Sequence, residues 1–330
     1  MSAAFERELL EWYAKNHRDL EFRQTKDPYR IWISEVMAQQ TRIETMRPYF
    51  ENFIKTYPTL QDLAHADDDT LHKAWQGLGY YSRARNLKKT AVICEKSGLP
   101  DAKTELLKLP GIGPYTAGAI ASIAFGEKVS AVDGNVLRVY SRIYDVHEDV
   151  LSTQGRKTIT ALVDADLSDE IGDWNQALME LGALICTPVP KCDKCPISAY
   201  CAADDPASLP VKKKSRPKRV EKKKLVVYSD GSGIKLVKRS EGLLSGLYGF
   251  EETDTYPADS IDLGEYSHTF SHVVWQMEAR LVINKNIDCV SFDTIRESYS
   301  IPSAYMPFLE RAEKVLRNLN TDSFQTLPMV

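Results

Sequence analysis

The sequence predicts a mainly α-helical N-terminal part followed by an α+β C-terminal domain. Apolar residues recur at helical spacing up to about residue 201, and an alternation of apolar and polar residues, typical of strands, follows residue 225. Between them the basic stretch KKKSRPKRVEKKK (212–224) predicts a linker or an exposed arm; a nuclear-localisation signal is the alternative. At about 150 residues per domain, 330 residues allow two or three domains.

The helices are predicted from apolar periodicity and from signals at their ends. Phe5, Leu9 and Tyr13 share one face of a helix over residues 5–16. Asp27-Pro28 marks a helix start, because aspartate accepts from free N–H groups there and proline fits the first turn. Further helices are predicted over 71–75, 82–96, 102–109, 114–125, 136–144, 156–167 and 174–185.

Strands dominate the predicted C-terminal domain. Residues 225–228 and 234–238 are strand-like, and the Ser-Asp-Gly-Ser-Gly between them predicts a hairpin. A last helix is predicted over 307–319. Residues 272–283 predict a half-buried strand, with one face formed by Val273, Trp275, Met277, Ala279, Leu281 and Ile283.

Composition excludes several classes of protein. With 43% apolar and 27% charged residues, the chain is not disordered, collagen-like or a long coiled coil. It has no apolar run of the roughly 18 residues that a membrane span needs, and its N-terminus lacks the apolar core of a secretory signal. A protein that acts inside the cell and away from membranes is therefore expected. The net charge of −4 alone disfavours nucleic acid, but it conceals a charge of +8 at 212–224.

Four of the six cysteines lie within 16 residues in the spacing C-x5-C-x2-C-x5-C: Cys186, Cys192, Cys195 and Cys201. Clustered cysteines in an intracellular protein indicate metal ligands rather than disulfides. Both a tetrahedral zinc site and a [4Fe–4S] cluster fit; the nesting of all four in one loop favours the cluster, in a structural role. Cys94 and Cys289 are expected in the core.

The ten residues LPGIGPYTAG (109–118) predict a tight hairpin between two helices. Gly111 and Gly113 let the backbone approach a ligand closely, and the first N–H groups of the helix that begins at Pro114 have no partners within it. With the helix dipole they form a site for an anion such as a backbone phosphate of DNA. An ordinary helix–turn–helix is the alternative.

Two carboxylates are predicted in contrasting surroundings. Glu35 lies on a helix that is apolar nearly all round, so burial should raise its pKa towards that of a general acid. Asp133 precedes a predicted helix, whose N–H donors and dipole should keep it ionised. Such a pair is typical of glycosidic bond chemistry, although a solvated glutamate and a turn aspartate also fit the pattern.

Four segments and the cysteine loop resemble one family in the same order along the chain: WISEVMAQQTR (32–42), GLGYYSRARNL (77–87), PGIGPYTAGAI (110–120) and SAVDGNVLRV (130–139). They are similar to the adenine DNA glycosylases of the MutY family, in the iron–sulfur branch of the helix-hairpin-helix DNA glycosylase superfamily. The resemblance covers nearly the whole chain and weakens after about residue 284.

The resemblance implies four parts of the chain. Residues 1–20 and 127–203 would form a module that holds a [4Fe–4S] cluster, and 21–126 a six-helix module with the helix-hairpin-helix. Residues 204–224 would form a basic linker, and 225–330 a Nudix-like domain for lesion recognition. Because the Nudix signature G-x5-E-x7-R-E-x2-E-E-x-G is absent from the sequence, no nucleotide hydrolysis is expected.

The resemblance also implies a chemistry, the removal of adenine paired with 8-oxoguanine or guanine in double-stranded DNA by base flipping. Glu35 would protonate the adenine ring and Asp133 would stabilise the oxocarbenium sugar, while Tyr115 and Asn135 position these groups. The related endonuclease III enzymes have a Schiff-base lysine at the place of Tyr115. Since tyrosine cannot form an imine, a monofunctional enzyme that leaves an abasic site is expected.

Matching positions imply the contacts with DNA. Three side chains would enter the base stack: Gln40, Leu78 and Tyr80. For Leu78 and Tyr80, the neighbouring Gly77 and Gly79 favour an exposed tip. A place in the core is the alternative for these two side chains. A basic patch at 77–89 would bind phosphates through Arg83, Arg85, Lys88 and Lys89. The loop in HTFSHVVW (268–275) would recognise the 8-oxoguanine through Phe270, Ser271 and His272.

Two departures from the family pattern are visible. Leu20-Glu21-Phe22-Arg23 stands where the family has Leu-Pro-Trp-Arg, which alters the aromatic face available to a flipped adenine. Five residues instead of six separate Cys186 from Cys192, which alters the cluster loop.

Two other functions stay open from the sequence. A bifunctional endonuclease III-like pyrimidine glycosylase is disfavoured by Tyr115 and by the C-terminal domain. A non-catalytic DNA-binding module with a zinc site would not need Glu35 in an apolar helix together with Asp133. A monomer is expected, in the cytoplasm of a bacterium or the nucleus of a eukaryote.

Overall fold

The computed structural model describes residues 2–213 and 217–325, with side chains as far as residue 319. It divides into two compact units, Met1–His65 with Arg85–Ser215 and Ala66–Ala84 with Arg216–Val330. The N-terminal part is helical and the C-terminal part is α+β, which confirms the predicted fold class. Residues 66–84, expected within the six-helix module, group with the C-terminal domain. The predicted boundaries at residues 20, 126 and 203 stay predictions.

Helices occupy most of the N-terminal part. They are α1 Ala3–Asn16, α2 Pro28–Ala38, α3 Ile43–Thr56, α4 Leu60–Ala64, α5 Asp68–Ala74, α6 Ser82–Cys94, α7 Lys103–Leu106, α8 Pro114–Phe125, α9 Gly134–Ile143, α10 Thr153–Ala165 and α11 Ile171–Leu184. The C-terminal elements are β1 Arg219–Ser229, β2 Gly233–Ile234, β3 Val237–Lys238, β4 Tyr248–Gly249, β5 Glu251–Glu252, β6 Ile261–Thr269, β7 Val273–Ile283, β8 Val290–Ser291, α12 Phe292–Ser298 and α13 Met306–Gln325.

The start of α2 follows the predicted signal. The Asp27 carboxylate accepts from the N–H of Tyr29 at 2.9 Å, and Pro28 occupies the first turn. The predicted apolar face of α1 is also confirmed, because Phe5 and Leu9 are completely buried.

Helices α3 and α4 were not among the predicted elements. On α3, Met46, Phe50 and Phe53 recur at the spacing of one helix face and are buried. Pro48 stands inside this helix, where sequence rules expect a break, and this weakened the helical signal. Helix α7 is shorter than the predicted 102–109, since the chain leaves it before the hairpin at Pro110.

The C-terminal domain is built on a four-stranded sheet in the order β5-β1-β7-β6. Strands β1 and β7 run parallel, in register from Arg219↔Val273 to Ser229↔Ile283, and β6 is antiparallel to β7. The predicted buried face of β7 is confirmed except at its end, where Ile283 is 40% exposed.

Two predictions for this domain need correction. The chain turns back over 225–238, where the N–H of Lys235 donates to the carbonyl of Tyr228 at 2.9 Å, but the two segments form no strand ladder. Instead β2 pairs with β8, because Gly233 has no side chain and lets the two backbones meet: a Cβ there would lie 2.5 Å from the carbonyl oxygen of Val290. The linker does not reach residue 224 either, since β1 begins at Arg219. Lys223 fits this strand by laying its ammonium 4.6 Å from the Trp275 ring centroid.

Residues 214–216 of the basic stretch lie outside the described residues. In the part of the chain that is described, no helix has both the length and the apolar character required to cross a membrane.

Candidate active site

Helix α2 buries Glu35 almost completely, with 7% of the residue exposed. Trp32, Ile33 and Val36 beside it on α2 are buried as well, as the apolar pattern predicts. Because burial removes the water that would stabilise a carboxylate, the pKa of Glu35 is raised above its ordinary value. The side chain can therefore carry a proton under conditions in which a surface glutamate has lost it.

Tyr115, the second residue of α8, donates its hydroxyl proton to Oε2 of Glu35. The same hydroxyl lies 3.2 Å from the sulfur of Met179. Burial first, and then the nearby carboxylates of Glu35 and Asp133, raise the pKa of Tyr115 well above its ordinary value. Tyr115 thus stays protonated as a fixed donor, and its hydrogen bond opposes the rise in the pKa of Glu35.

Asp133 caps the N-terminus of α9. Its Oδ1 accepts from the backbone N–H groups of Asn135 and Val136, each at 2.8 Å, and its Oδ2 accepts from Nδ2 of Asn135 at 2.7 Å. These are the predicted donors, yet burial outweighs them and raises the pKa of Asp133. Asp133 is half-buried, which the sequence pattern did not indicate. That its helix donors keep it ionised stays a prediction.

Asn135 is itself held by Arg138 on the same helix. The Arg138 guanidinium donates to Oδ1 of Asn135 at 2.8 Å, to the carbonyl of Gly182 at 2.7 Å and to the carbonyl of Cys186 at 2.7 Å. A Cβ on Gly182 would lie 2.6 Å from Cβ of Asn135, so glycine allows α11 to pack directly against α9. The hydrogen bonds connect the Asp133 cap with the start of the cysteine loop.

One open cavity of about 870 Å³ contains all four predicted catalytic residues on its wall. Gln40, predicted to contact DNA, also lines this cavity. Other residues of the wall include Arg18, Phe22, Arg23 and Met179. The structure thus brings together a buried acid, a tyrosine donor and a capped aspartate around a space open to solvent.

Sequence reasoning missed Glu180, which fixes two of the arginines in this wall. Glu180 is completely buried on α11 and accepts from the backbone N–H and Nε of Arg18 at 3.1 and 2.6 Å, and also from Arg23. Burial would raise the pKa of Glu180, but the two guanidinium groups outweigh burial and lower it. The signal was an acid among the apolar residues of the second half of α11, ALMELGAL (177–184), similar to the signal that predicted Glu35.

The predicted hairpin is present in front of α8. Gly111 has a φ of +76°, and a Cβ there would lie 2.6 Å from Cβ of Asn86. Thr90 holds the turn by donating to the carbonyl of Pro110 at 2.9 Å. Gly113 is the cap residue of α8 and has no side chain to bond its first N–H groups. Gly111 and Gly113 are both exposed.

Comparison with known proteins identifies the family. A family model described as HhH-GPD superfamily base excision DNA repair protein matches residues 33–164, which contain Glu35, the hairpin and Asp133. The adenine DNA glycosylase of Buchnera aphidicola subsp. Schizaphis graminum (strain Sg) is 36% identical over 261 residues, covering 76% of this chain and 75% of that protein. This chain belongs to the adenine DNA glycosylase family.

Two further similarities agree. The human adenine DNA glycosylase is 34% identical over 356 residues, which cover 82% of this chain. The chain spans 65% of the length of that human relative. A solved structure of a thermostable thymine-DNA glycosylase is 28% identical, with a TM-score of 0.55, over 60% of this chain and 94% of that one. The predicted membership of the family and the helical glycosylase fold are therefore confirmed.

In this member of the adenine DNA glycosylase family, the predicted intercalating residues differ in exposure. Tyr80 is 45% exposed, with a φ of +47°, and Gln40 is exposed with a φ of +57°. Leu78 is only 6% exposed. The expectation of an exposed tip is wrong for Leu78, because its side chain turns into the core while Gly77 and Gly79 supply the positive φ angles around it.

Arg83 is half-buried and shapes this loop rather than presenting a free charge. Its guanidinium lies 5.3 Å from the Trp75 ring centroid and 5.6 Å from that of Tyr80, and donates to the carbonyl of Leu78 at 2.9 Å. Burial lowers the pKa of Arg83 to about 10. Burial also lowers the pKa of Arg85. One terminal nitrogen of Arg83 thus bonds the loop carbonyls of Leu78 and Gly79, and its part in the predicted basic patch stays a prediction.

The four clustered cysteines carry free thiols. Burial first, and then the charges of the other three, raise the pKa of Cys195 to about 11. In residues 2–213 and 217–325, no group of three or more His, Cys, Asp or Glu side chains is arranged to hold a metal ion. The chemistry of the donor set nevertheless fits an iron–sulfur cluster, since four cysteines within sixteen residues carry thiols that form no disulfides.

The loop predicted to read the lesion connects β6 and β7. Ser271 and His272 are exposed, and the serine hydroxyl lies 3.1 Å from Nδ1 of the histidine. Phe270 is half-buried, with its ring edge-on to Trp275 at 4.9 Å between centroids. Two polar side chains are therefore free to contact a ligand, while Phe270 anchors the loop on the domain core.

Proposed function

We propose that this chain is a monofunctional adenine DNA glycosylase of base excision repair. It hydrolyses the N-glycosidic bond of adenine paired with 8-oxoguanine or guanine in duplex DNA and leaves an abasic site. The observation that carries this proposal is the buried Glu35 carboxyl, bonded by Tyr115, in one cavity with the capped Asp133. A flipped base needs such a space outside the duplex, and the cavity opens to solvent.

Glu35 acts as the general acid. A neutral adenine is a poor leaving group, and protonation of its ring lowers the barrier to loss of the base. The Glu35 carboxyl, kept protonated by its raised pKa, supplies the proton, and the Tyr115 hydroxyl holds the carboxyl in one orientation.

Asp133 faces the positive charge that develops on the sugar as the bond breaks. A carboxylate fixed by three hydrogen bonds does not need to reorganise during the reaction, which is how an enzyme stabilises a transition state electrostatically. Water then adds to the sugar. Because Tyr115 offers no amine to form an imine, the DNA strand stays intact.

The exposed hairpin and loops of the chain supply the contacts with DNA. The N–H groups at Gly111 and Gly113 bind a backbone phosphate, and Tyr80 and Gln40 fill the space that the flipped adenine leaves. Leu78 is buried and does not enter the stack. Ser271 and His272 contact the 8-oxoguanine, and the protein acts as a monomer.

Cys186, Cys192, Cys195 and Cys201 hold a [4Fe–4S] cluster with a structural role. When bound, the cluster would cross-link the four cysteine positions of the loop through metal–thiolate bonds. Arg142 supports this assignment, because its guanidinium donates to the sulfur of Cys186 at 3.2 Å and can balance negative charge there. A brown, iron-containing protein is expected; a colourless anaerobic preparation with zinc and no iron contradicts this part.

Duplexes with adenine opposite 8-oxoguanine, guanine or thymine test the proposal. The first two should yield alkali-labile sites and the third should not. Glu35→Gln and Asp133→Asn should abolish the sites, whereas Glu127→Gln, a carboxylate outside the cavity, should not. Strand breaks that appear without alkali contradict the monofunctional assignment.

A further inference from the structure

Residues 66–84, which carry α5 and the Tyr80 loop, form one compact unit with the C-terminal domain. The chain order gives no reason for this, since the helical part continues on both sides of the segment. Specific contacts hold it, and they come from two separate stretches of the C-terminal domain.

The first set of contacts centres on Asp69 in α5. Its Oδ1 pairs with Nζ of Lys238 at 2.6 Å, and its Oδ2 accepts from the hydroxyl of Tyr248 at 2.8 Å. The Lys238 ammonium lies 5.3 Å from the Tyr248 ring centroid, so the three groups support one another. Strands β3 and β4, which bear these partners, pair with each other.

The second set joins α5 and Gln76 to the last turn of α12 and to the segment that follows it. Nζ of Lys73 donates to the carbonyls of Arg296 and Tyr299, the latter at 3.2 Å. Gln76 donates to the carbonyl of Ile301 at 3.2 Å. All three acceptors are backbone carbonyls, which move less than side chains do. The bonds therefore hold α5 against the backbone of the C-terminal domain.

From α5 the contacts continue to Tyr80. Trp75 follows the last residue of α5, and its Nε1 donates to the carbonyl of Gly79 at 3.1 Å. Arg83 stacks on both Trp75 and Tyr80 and bonds the carbonyls between them. The exposed Tyr80 ring is therefore placed by α5.

A series of packed aromatic rings connects the 270–272 loop with β3 and β4, the strands whose side chains bind Asp69. The Phe270 and Trp275 ring centroids are 4.9 Å apart, and those of Trp275 and Tyr305 are 6.2 Å apart. Tyr305 packs so closely on β4 that a Cβ at Gly249 would lie 2.5 Å from its ring. Close-packed interiors transmit displacement rather than absorb it.

We propose that Asp69 and Lys73 are positioning residues that join lesion recognition to insertion of Tyr80. The C-terminal domain carries the tyrosine as part of its own body, so that engagement of the 270–272 loop with 8-oxoguanine sets Tyr80 in the base stack. This inference rests on the proposed function. It assigns to α5 a role in specificity, although α5 has no predicted contact with DNA.

The double variant Asp69→Ala/Lys73→Met removes both sets of contacts. In single-turnover reactions it should lower the rate on adenine opposite 8-oxoguanine by about tenfold and the rate opposite guanine by less than about twofold. The preference for the lesion is lost because loop engagement no longer positions Tyr80. In a Tyr80→Ala background the same two substitutions should have no further effect on the ratio of rates.

The matched control is Glu251→Ala/Lys235→Met, which removes an exposed ion pair of the same unit whose charged atoms are 3.8 Å apart. It should leave both rates unchanged. Equal loss on the two duplexes, an unchanged ratio, or additivity with Tyr80→Ala overturns the proposal. If the double variant does not fold, Tyr248→Phe, which removes one bond to Asp69, should reduce the ratio in the same direction, and an unchanged ratio again overturns it.

A readout without catalysis separates this proposal from the proposed function. In a Glu35→Gln background, 2-aminopurine beside the 8-oxoguanine should brighten on binding as Tyr80 unstacks it, and the double variant should lose that signal. If the wild-type chain releases no adenine but the signal depends on Asp69 and Lys73, the proposed function fails and the coupling stands. A signal that the double variant retains contradicts the coupling.

Discussion

At the scale of single residues, the hydrogen bond from Tyr115 to Glu35 acts on the proton of the group that we propose as the general acid. The donor favours the ionised carboxyl and so opposes the rise in its pKa that burial causes. Since only protonated Glu35 can act as the acid, the rate should fall as pH rises through its raised pKa.

Tyr115→Phe removes this donor and should move the high-pH limb of the rate profile upward by about one pH unit, the worth of one hydrogen bond. Single-turnover rates across a pH series measure the limb. Tyr29→Phe is a suitable control, because the Tyr29 hydroxyl donates to the backbone carbonyl of Tyr57, the residue that follows α3, and its loss should not shift the limb. A downward shift with Tyr115→Phe contradicts the account.

Glu180 provides a test of stability. Its loss leaves Arg18 and Arg23 without their buried partner, so Glu180→Ala should lower the free energy of unfolding by about 3–5 kcal/mol. Urea denaturation measures this, with Asp169→Ala at an exposed ion pair as a control that should not move the midpoint. Because the folded pKa of Glu180 is lowered, its contribution is present above the unfolded pKa of about 4.3 and is lost as pH falls through the folded value. An unchanged midpoint for Glu180→Ala contradicts this role.

At the scale of elements, the approach of α11 to α9 sets the place of Asp133. Gly182→Ala forces a Cβ to within 2.6 Å of Cβ of Asn135 and should lower stability by about 1–3 kcal/mol. It should also reduce the rate by more than the loss of folded protein explains, because Asn135 holds the Asp133 carboxylate. Gly172→Ala on the same helix meets its nearest atom at 3.3 Å and should have a weaker effect on both. Equal effects of the two variants speak against the arrangement.

The hairpin before α8 makes a different prediction. Gly111→Ala strains a φ of +76° and meets Asn86, so the hairpin N–H groups should move and duplex binding should weaken about tenfold. The loss should be the same for matched and mispaired duplexes, because a phosphate contact carries no sequence information. Gly98→Ala has a similar φ of +74° but open space around it and should leave affinity unchanged. A loss confined to mispaired duplexes contradicts a phosphate contact; fluorescence anisotropy measures both.

At the scale of the whole molecule, local signals predicted much of the fold. Asp27-Pro28 located the start of α2, and alternation located the buried face of β7, because both depend on neighbours in sequence. The parallel pairing of β1 with β7 could not be predicted in this way, since its partners lie more than fifty residues apart. The grouping of 66–84 with the C-terminal domain depends on contacts such as Asp69 with Lys238, which no periodicity reveals.

In the candidate active site too, the features that depend on sequence neighbours were predictable and those that depend on distant packing were not. Glu35 and Asp133 were visible as an acid in an apolar helix and as a helix cap. The partial burial of Asp133, and the bond of Arg83 to its own loop, depend on the residues that pack around them. The sequence pattern predicted both side chains to be more exposed than they are. Glu180 carried a signal similar to that of Glu35 and was overlooked.

The central claim is that this chain uses Glu35 to release adenine from a mispaired duplex. Mass spectrometry of a single-turnover reaction on adenine opposite 8-oxoguanine tests it most directly, because it identifies both the released base and the remaining strand. Free adenine and an intact strand with one abasic site are expected for the wild-type chain, and neither product for Glu35→Gln. Release of another base, or undiminished release of adenine by Glu35→Gln, contradicts it.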